Sequence, residues 1–427
     1  MRLLYDILFF FFSLFYLPIF FIKGKHGDGF LERFGVVPDE IKKKLTGKNV
    51  IWIHAVSVGE MAQGVRLADA IRKRCANAQF VLTATTAAGR EIAEKFKKSE
   101  DTALYFPVDF RASVRSFIRA VAPKALIILE TEIWPNLLHE LAGRKIPVFV
   151  MNGRISDRAF PRYRAMKFFL KRVLSHCVWI GAQDERMRAR FVELGVDSER
   201  VVVTGNMKYD WVPPDLNDNE AEIIEHRFKT PGSLMCMAGS THEGEEEMLL
   251  DVYKTLKAKH PFFKLLIAPR HLNRIESIEA EAYRKDIVLK KVSRLIKSSD
   301  KRSADGTVLL LDKMGVLANL YRIADFVFIG GSLVPYGGHN LIEPAFFEKP
   351  VVCGRFMENF KEMTQEFKKA EAVVVVQGKK ELEEAFDRLI EETAYRQKLG
   401  IAAKKLIALH QGATERNITA VLQSLNW

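Results

Sequence analysis

Cysteine is scarce: 427 residues contain four, Cys75, Cys177, Cys236 and Cys353, none in a CxxC or Cys/His metal spacing. That excludes a disulfide framework and a sequence-encoded zinc site, and it favours a reducing compartment. Short-period repeats and low-complexity tracts are absent as well. Acidic residues are in the minority, 53 against 65 Lys and Arg, for a net charge of +12 and a pI near 9.3. The surface therefore favours anionic partners: nucleic acid, acidic lipid or a phosphorylated substrate. With 48% hydrophobic and 28% charged residues, a chain of this length predicts two globular domains.

The longest apolar run opens the chain. Leu3 to Ile22 is almost wholly apolar, interrupted by Asp6 and Pro18, and is long enough to cross or deeply enter a bilayer. No small-residue cleavage site follows, which argues against a removed signal peptide. Lys23, Lys25, Arg33 and Lys42 to Lys44 follow instead, and a positive flank marks the cytoplasmic side. A membrane-anchor helix over residues 1–24, with the body of the chain on the cytoplasmic side of a membrane, is the expectation. A buried helix packed on the domain is the alternative.

From residue 50 strands and helices alternate. "NVIWIHAVS", "AQFVLTATT", "KALIILE", "PVFVMN" and "CVWIGAQ" are apolar runs separated by amphipathic stretches, the signature of a parallel sheet covered on both faces. Over 211–232 the pattern lapses into Pro, Asn and Asp around one short polar helix, and then restarts with "SLMCMAGS", "FKLLIAPR", "TVLLLD", "DFVFIGGS" and "PVVCG". The expected fold class is α/β, with two Rossmann-like domains facing across a cleft: 25–212, a linker at 213–232, and 233–410, followed by a helix at 411–427 that returns to the first domain.

Chemistry-bearing residues collect at predicted strand ends. In "GGHNLIEPAFFEKP", Gly337 and Gly338 let the backbone approach a ligand, His339 follows, and Asn340 caps a helix that carries Glu343 one turn on. This reads as a phosphate seat with a carboxylate for ribose hydroxyls, or as a plain capping box of Asn340 and Glu343. Ser240 and Thr241, Arg270 and His271, and Met314 and Gly315 follow other strands of the same half and suit a nucleotide. In the first half "HAVSVGE" supplies Ser57, Gly59 and Glu60. Glu60 is either a general base at the mouth of the cleft or a charge that compensates a helix N-terminus. Glu130 and Glu132, Asn152 and Arg154, and Asn206 and Lys208 end further strands of this half, on the acceptor side. The stretch "FPRYRAMKFFLKRVLSH" reads as one interfacial helix, with Arg162, Arg164, Lys167, Lys171 and Arg172 among Phe160, Phe168 and Phe169.

Taken together and in order, "HAVSVGE", "ETEIWPN", "NGRISDR", "GNMKYD", "APRH" and "GGHNLIEP" behind an apolar N-terminus resemble the bacterial 3-deoxy-D-manno-octulosonic acid (Kdo) transferase family of lipopolysaccharide assembly. The resemblance spans nearly the whole chain. It implies a B-type glycosyltransferase fold, CMP-Kdo as donor, a lipid A precursor (lipid IVA) as acceptor, inversion at the anomeric carbon and Glu60 as general base. It further implies an enzyme on the cytoplasmic side of the inner membrane that contacts no nucleic acid. No DxD motif occurs, and a monophosphate leaving group held by Arg270 and backbone amides needs no metal, so no cofactor is expected. A different membrane-associated transferase of the same fold is the nearer rival. A nucleotide-sugar epimerase would not need the apolar N-terminus, and a membrane-bound scaffold leaves the polar strand ends without a purpose.

Overall fold

The alternating apolar runs fold into two sheets of seven strands each, every pairing parallel. The structure, a computed structural model, describes residues 5–7, 9–11, 29–213, 219–297 and 307–425. It divides into two units, Met1–Asp210 with His410–Trp427, and Trp211–Leu409.

In unit 1 the strands are β1 (Asn49–Ala55), β2 (Ala78–Ala84), β3 (Thr102–Tyr105), β4 (Ala125–Leu129), β5 (Val148–Gly153), β6 (Cys177–Ala182) and β7 (Val201–Val203), in the order β3-β2-β1-β4-β5-β6-β7. Side chains alternate across a strand, so β1 sends Val50 and Trp52 into one core and Ile51, Ile53 and Ala55 into the other. Both faces are covered, which is why these strands read as unbroken apolar runs. Each fully buried Ile or Phe contributes about 1.5–3 kcal/mol. The helix Ala413–Leu425 joins this unit, with Ile418 and Val421 in the second of these cores.

In unit 2, β8 (Leu234–Thr241), β9 (Phe263–Pro269), β10 (Val288–Lys291), β11 (Thr307–Leu310), β12 (Phe326–Ile329), β13 (Val351–Gly354) and β14 (Val373–Val376) are ordered β10-β11-β9-β8-β12-β13-β14. The helix Asn219–Phe228 packs here through Ala221, Ile224 and Phe228. In each sheet the winding reverses between two neighbouring strands, β1 and β4 in unit 1 and β8 and β12 in unit 2. The loops leaving the carboxyl ends of those neighbouring strands turn to opposite faces, which opens a crevice in each unit.

One expectation falls mostly outside the described residues, and two others need correction. Most of the apolar run from Leu3 to Ile22 lies outside the described residues, and among the described residues no helix is long and apolar enough to cross a membrane. Its described part is tied to unit 1 by polar contacts. Tyr5 Oη donates to Asp109 at 2.9 Å, Asn136 Nδ2 donates to Asp6 at 2.7 Å, and Arg111 pairs with Asp6 at 2.6 Å. Second, the stretch 160–176 is not one helix: Phe160–Ala165 and Lys167–Leu174 are separated at Met166, whose ψ of 16° leaves the α region and whose N–H bonds the Tyr163 carbonyl in a tightened turn. Third, the helix expected to start near Asn340 is Ile342–Phe346, five residues long. The Asn340 side chain accepts the Ile342 N–H at 3.0 Å from outside it, so little macrodipole is available there.

Candidate active site

At the unit 1 crevice the β1 loop runs directly into the helix Val58–Arg74, capped by Ser57, whose Oγ accepts the Glu60 N–H at 3.3 Å. Glu60 reciprocates. Its Oε2 accepts the Val56 N–H at 2.8 Å and its Oε1 accepts the Ser57 hydroxyl at 2.9 Å. The capping reading of Glu60 holds: the box fixes its rotamer, and the carboxylate so fixed lines a pocket of about 210 Å³. The same pocket is lined by Glu130, Thr131 and Glu132 from β4 and by Arg154, Ser156 and Tyr163 from beyond β5.

The two acids after β4 have different surroundings. Glu130 is paired with Lys208 at 3.1 Å and with Arg154 at 4.0 Å. Burial, then the charges of Glu60 and Glu130, push the Glu132 carboxyl up to about 7. A carboxyl titrating there is a group poised for proton transfer at neutral pH. It also couples stability to pH. The folded state binds this proton more tightly than the unfolded chain, whose carboxyl titrates near 4.5, so the favourable contribution is complete below pH 4.5 and is lost as pH rises through about 7. Glu132→Gln should thus raise the thermal midpoint at pH 8 and leave it unchanged at pH 4. Equal shifts at both pH values would show that Glu132 is not the group responsible.

Other first-half residues hold the frame. Asn152 is fully buried, with Oδ1 accepting the Met207 N–H at 3.0 Å and Nδ2 donating to Gln63 at 3.3 Å. Asn206 accepts the Lys208 N–H at 3.0 Å, which shapes the turn that presents Lys208 to Glu130. Gly59 is exposed, with open space where a Cβ would stand. His54 belongs to the core, stacked on Phe106 at 3.8 Å, and burial drives its pKa down to about 3.

At the unit 2 crevice, β8 ends in Ser240 and Thr241, followed by His242, while β12 leads into Gly330 and the loop carrying His339, Asn340 and Glu343. Thr241 is buried and donates to Glu246 at 3.1 Å. Gly337 and Gly338 take φ of 88° and 73°, a turn closed to most side chains, but the Gly338 N–H is already bonded to the Gly331 carbonyl at 2.7 Å. That amide is not free for an anion, contrary to the sequence expectation. Glu343 is held by Asn340 Nδ2 at 3.2 Å, and burial raises its pKa. Arg270 and His271 follow β9 and are exposed. Met314, 56% exposed, and Gly315 follow β11, two strands away from β8.

Residues 28–211 match the family described as 3-deoxy-D-manno-octulosonic-acid transferase (kdotransferase), and residues 220–406 match glycosyl transferases group 1. A curated 3-deoxy-D-manno-octulosonic acid transferase of Haemophilus influenzae is 34% identical over 86% of this chain and 85% of its own. The chain belongs to the Kdo transferase family. A bifunctional glycosyltransferase/methyltransferase of Fusobacterium nucleatum is also 34% identical, over 82% of this chain but only 54% of its own length, so the chain spans about half of that relative. The solved structure of the Neisseria meningitidis UDP-GlcNAc 2-epimerase covers 88% of this chain and 100% of its own, with a TM-score of 0.55 at 16% identity, which shows the fold alone. The protein is a glycosyltransferase with two parallel-sheet α/β domains of the GT-B-like kind.

Sequence reasoning for this Kdo transferase family member missed several residues. Thr131 accepts the Arg154 N–H at 3.1 Å, and Tyr163 enters the Glu60 pocket from a stretch read as interfacial. His242 and Glu245 stood beside quoted residues in "GSTHEGEE" without being singled out. Backbone strain was invisible too: Glu130, Asn152 and Ser240 all have φ between 57° and 59°, a left-handed conformation unusual for non-glycine residues.

Proposed function

We propose that this glycosyltransferase moves Kdo from CMP-Kdo to a lipid A precursor, lipid IVA, with inversion at the anomeric carbon. The observation that carries it is Glu60, a carboxylate locked by its own helix cap on the wall of a pocket that also holds Glu132, in a chain of this family. An acceptor hydroxyl is a poor nucleophile at neutral pH. As its oxygen bonds to the anomeric carbon, Glu60 takes the proton, and the carbon–oxygen bond to phosphate breaks with its electron pair passing to CMP. Ser240, Thr241, Arg270, His339, Asn340 and Glu343 are the donor residues, and Met314 with Gly315 borders the base. Arg154 and Lys208, which hold Glu130, suit the acceptor's phosphates. A monophosphate leaving group beside Arg270 needs no divalent cation.

Membrane attachment through the N-terminus, on the cytoplasmic side of the inner membrane, belongs to the same reading. Ile7, Phe10 and Phe11 on the first turns are exposed, as are Met166 and Phe168 on the basic stretch 160–174, an apolar set among Lys and Arg that suits an anionic lipid surface.

The test is transfer in vitro from CMP-Kdo to lipid IVA in detergent micelles, with products resolved by mass and with EDTA in one arm. A product heavier by one or more Kdo units, formed equally with EDTA, is the expected result. No transfer by a folded chain that binds CMP would remove this donor and acceptor pair and leave another membrane-associated transferase of the same fold.

A further inference from the structure

Two histidines meet at the unit 2 crevice. His242 Nε2 lies 3.0 Å from His339 Nε2, with the rings nearly parallel at 10°. A hydrogen bond between two imidazole nitrogens holds one proton, so one ring is the Nε2–H tautomer and the other offers its lone pair. The loops beneath hold this contact in place. Glu245 Oε2 accepts the backbone N–H of both His242, at 2.9 Å, and Gly331, at 2.7 Å. Gly331 backs both rings, since a Cβ there would lie 3.2 Å from His242 and 3.3 Å from His339. Its carbonyl takes the Gly338 N–H one residue before His339, and Tyr336 stacks on His242 at 4.1 Å.

The charged and titratable groups around the pair come from three loops and two helices. His271 lies edge-on to His242 at 5.9 Å, and from the same loop Arg270 acts on both rings and Arg274 on His242. Arg274 is committed to Glu243 at 3.2 Å and Glu246 at 3.4 Å, and the Glu245 carboxylate is committed to backbone N–H groups. Glu343 lies on the far helix and interacts with Arg270, which makes no ion pair among the described residues. Burial and these positive neighbours disfavour the charged form of both rings, and His339 is pulled down to about 4. A neutral pair beside an uncommitted guanidinium is a site that an arriving anion completes.

We infer that His242 and His339 together seat the phosphate of the nucleotide and take up one proton as it binds. This rests on the donor-site reading above. The added proton goes to Nδ1 of the ring that already donates, so the N–H···N bond is kept and becomes charge-assisted. The resulting cation offsets the second negative charge that CMP gains when the electron pair of the breaking carbon–oxygen bond moves onto its phosphate.

The test is calorimetric binding of CMP to the full chain at pH 7 in buffers of differing ionisation enthalpy. Cytidine and UMP are run in parallel. Wild type should take up about one proton per CMP and none with cytidine. The double variant His242→Gln, His339→Gln should bind CMP about tenfold or more weakly, as for a lost hydrogen bond to a charged group, with no proton uptake. CMP binding without uptake, or equal uptake by the double variant, overturns the proposal while leaving the donor reading standing. Uptake with UMP but no binding of CMP would support the pair and sink the cytidine assignment. If neither nucleotide binds, both fall. CMP carries no sugar carboxylate, so uptake with CMP assigns the pair to the phosphate.

Discussion

Glu60→Gln should lower the transfer rate by about 10²–10⁴, the usual contribution of a positioned general base, and leave CMP affinity and the thermal midpoint close to wild type. The separation follows from the cap geometry. An amide at this position still accepts the Val56 N–H through its oxygen and donates to Ser57 Oγ through its nitrogen, so the start of the helix Val58–Arg74 is preserved. What is lost is the capacity to accept a proton. Ser57→Ala tests the other half of the capping box: it removes the acceptor for the Glu60 N–H, costs about 1 kcal/mol of stability and frees the Glu60 rotamer. Its rate should fall far less than that of Glu60→Gln. If Glu60 served only the helix, the ranking would reverse, with Glu60→Gln retaining activity within a few-fold of wild type.

Much of the fold is legible in the sequence because a parallel sheet buried on both faces writes continuous apolar runs, as "KALIILE" and "DFVFIGGS" do. Strand order is not legible, because alternation reports that the strands are parallel and says nothing of which lie side by side. The two reversals of winding, β1 beside β4 and β8 beside β12, emerge only in three dimensions, and they are what bring Glu60 to Glu132 and His242 to His339. Local pattern also misjudged helix lengths. Asn340 and Glu343 have capping-box spacing, yet Glu348 at φ 59° ends the segment two residues after a helix of five residues. The chemistry of the acids was partly readable. Two glutamates in "ETEIWPN" flag a site, but their assignment to different roles depends on Lys208 and Arg154, residues 78 and 24 positions later in the chain than Glu130, reaching one carboxylate and not the other. The left-handed backbone at Glu130 and Ser240 has no sequence signal, since glycine would normally announce it, whereas asparagine tolerates this region at Asn152.

The largest loss of stability is expected at Glu245, which touches no proposed substrate. Its fully buried carboxylate accepts four backbone N–H groups: Ser332 and Leu333 on Oε1, both at 2.9 Å, and His242 and Gly331 on Oε2 at 2.9 and 2.7 Å. These amides belong to the two loops that flank the β8/β12 reversal, so one side chain ties both walls of the unit 2 crevice. Burial raises the Glu245 pKa even against four donors that favour the anion, so desolvation is the larger effect. Glu245→Ala leaves four buried donors without a partner. At about 1 kcal/mol or more for each, the cost is roughly 4 kcal/mol, a large part of the 5–15 kcal/mol that holds a typical domain folded. Glu245→Gln should fall between. Its oxygen can keep Ser332 and Leu333, while its amide nitrogen faces the His242 and Gly331 donors and cannot accept from them. Urea unfolding should therefore rank wild type, Gln, Ala. Hydrogen exchange should show protection lost over 329–334 and kept in β1 and β4 of unit 1, and CMP binding should follow the same ranking. An alanine variant with a wild-type midpoint and protected amides at 331–333 would mean that water replaces the carboxylate at little cost, and that the loops owe their shape to the glycines instead.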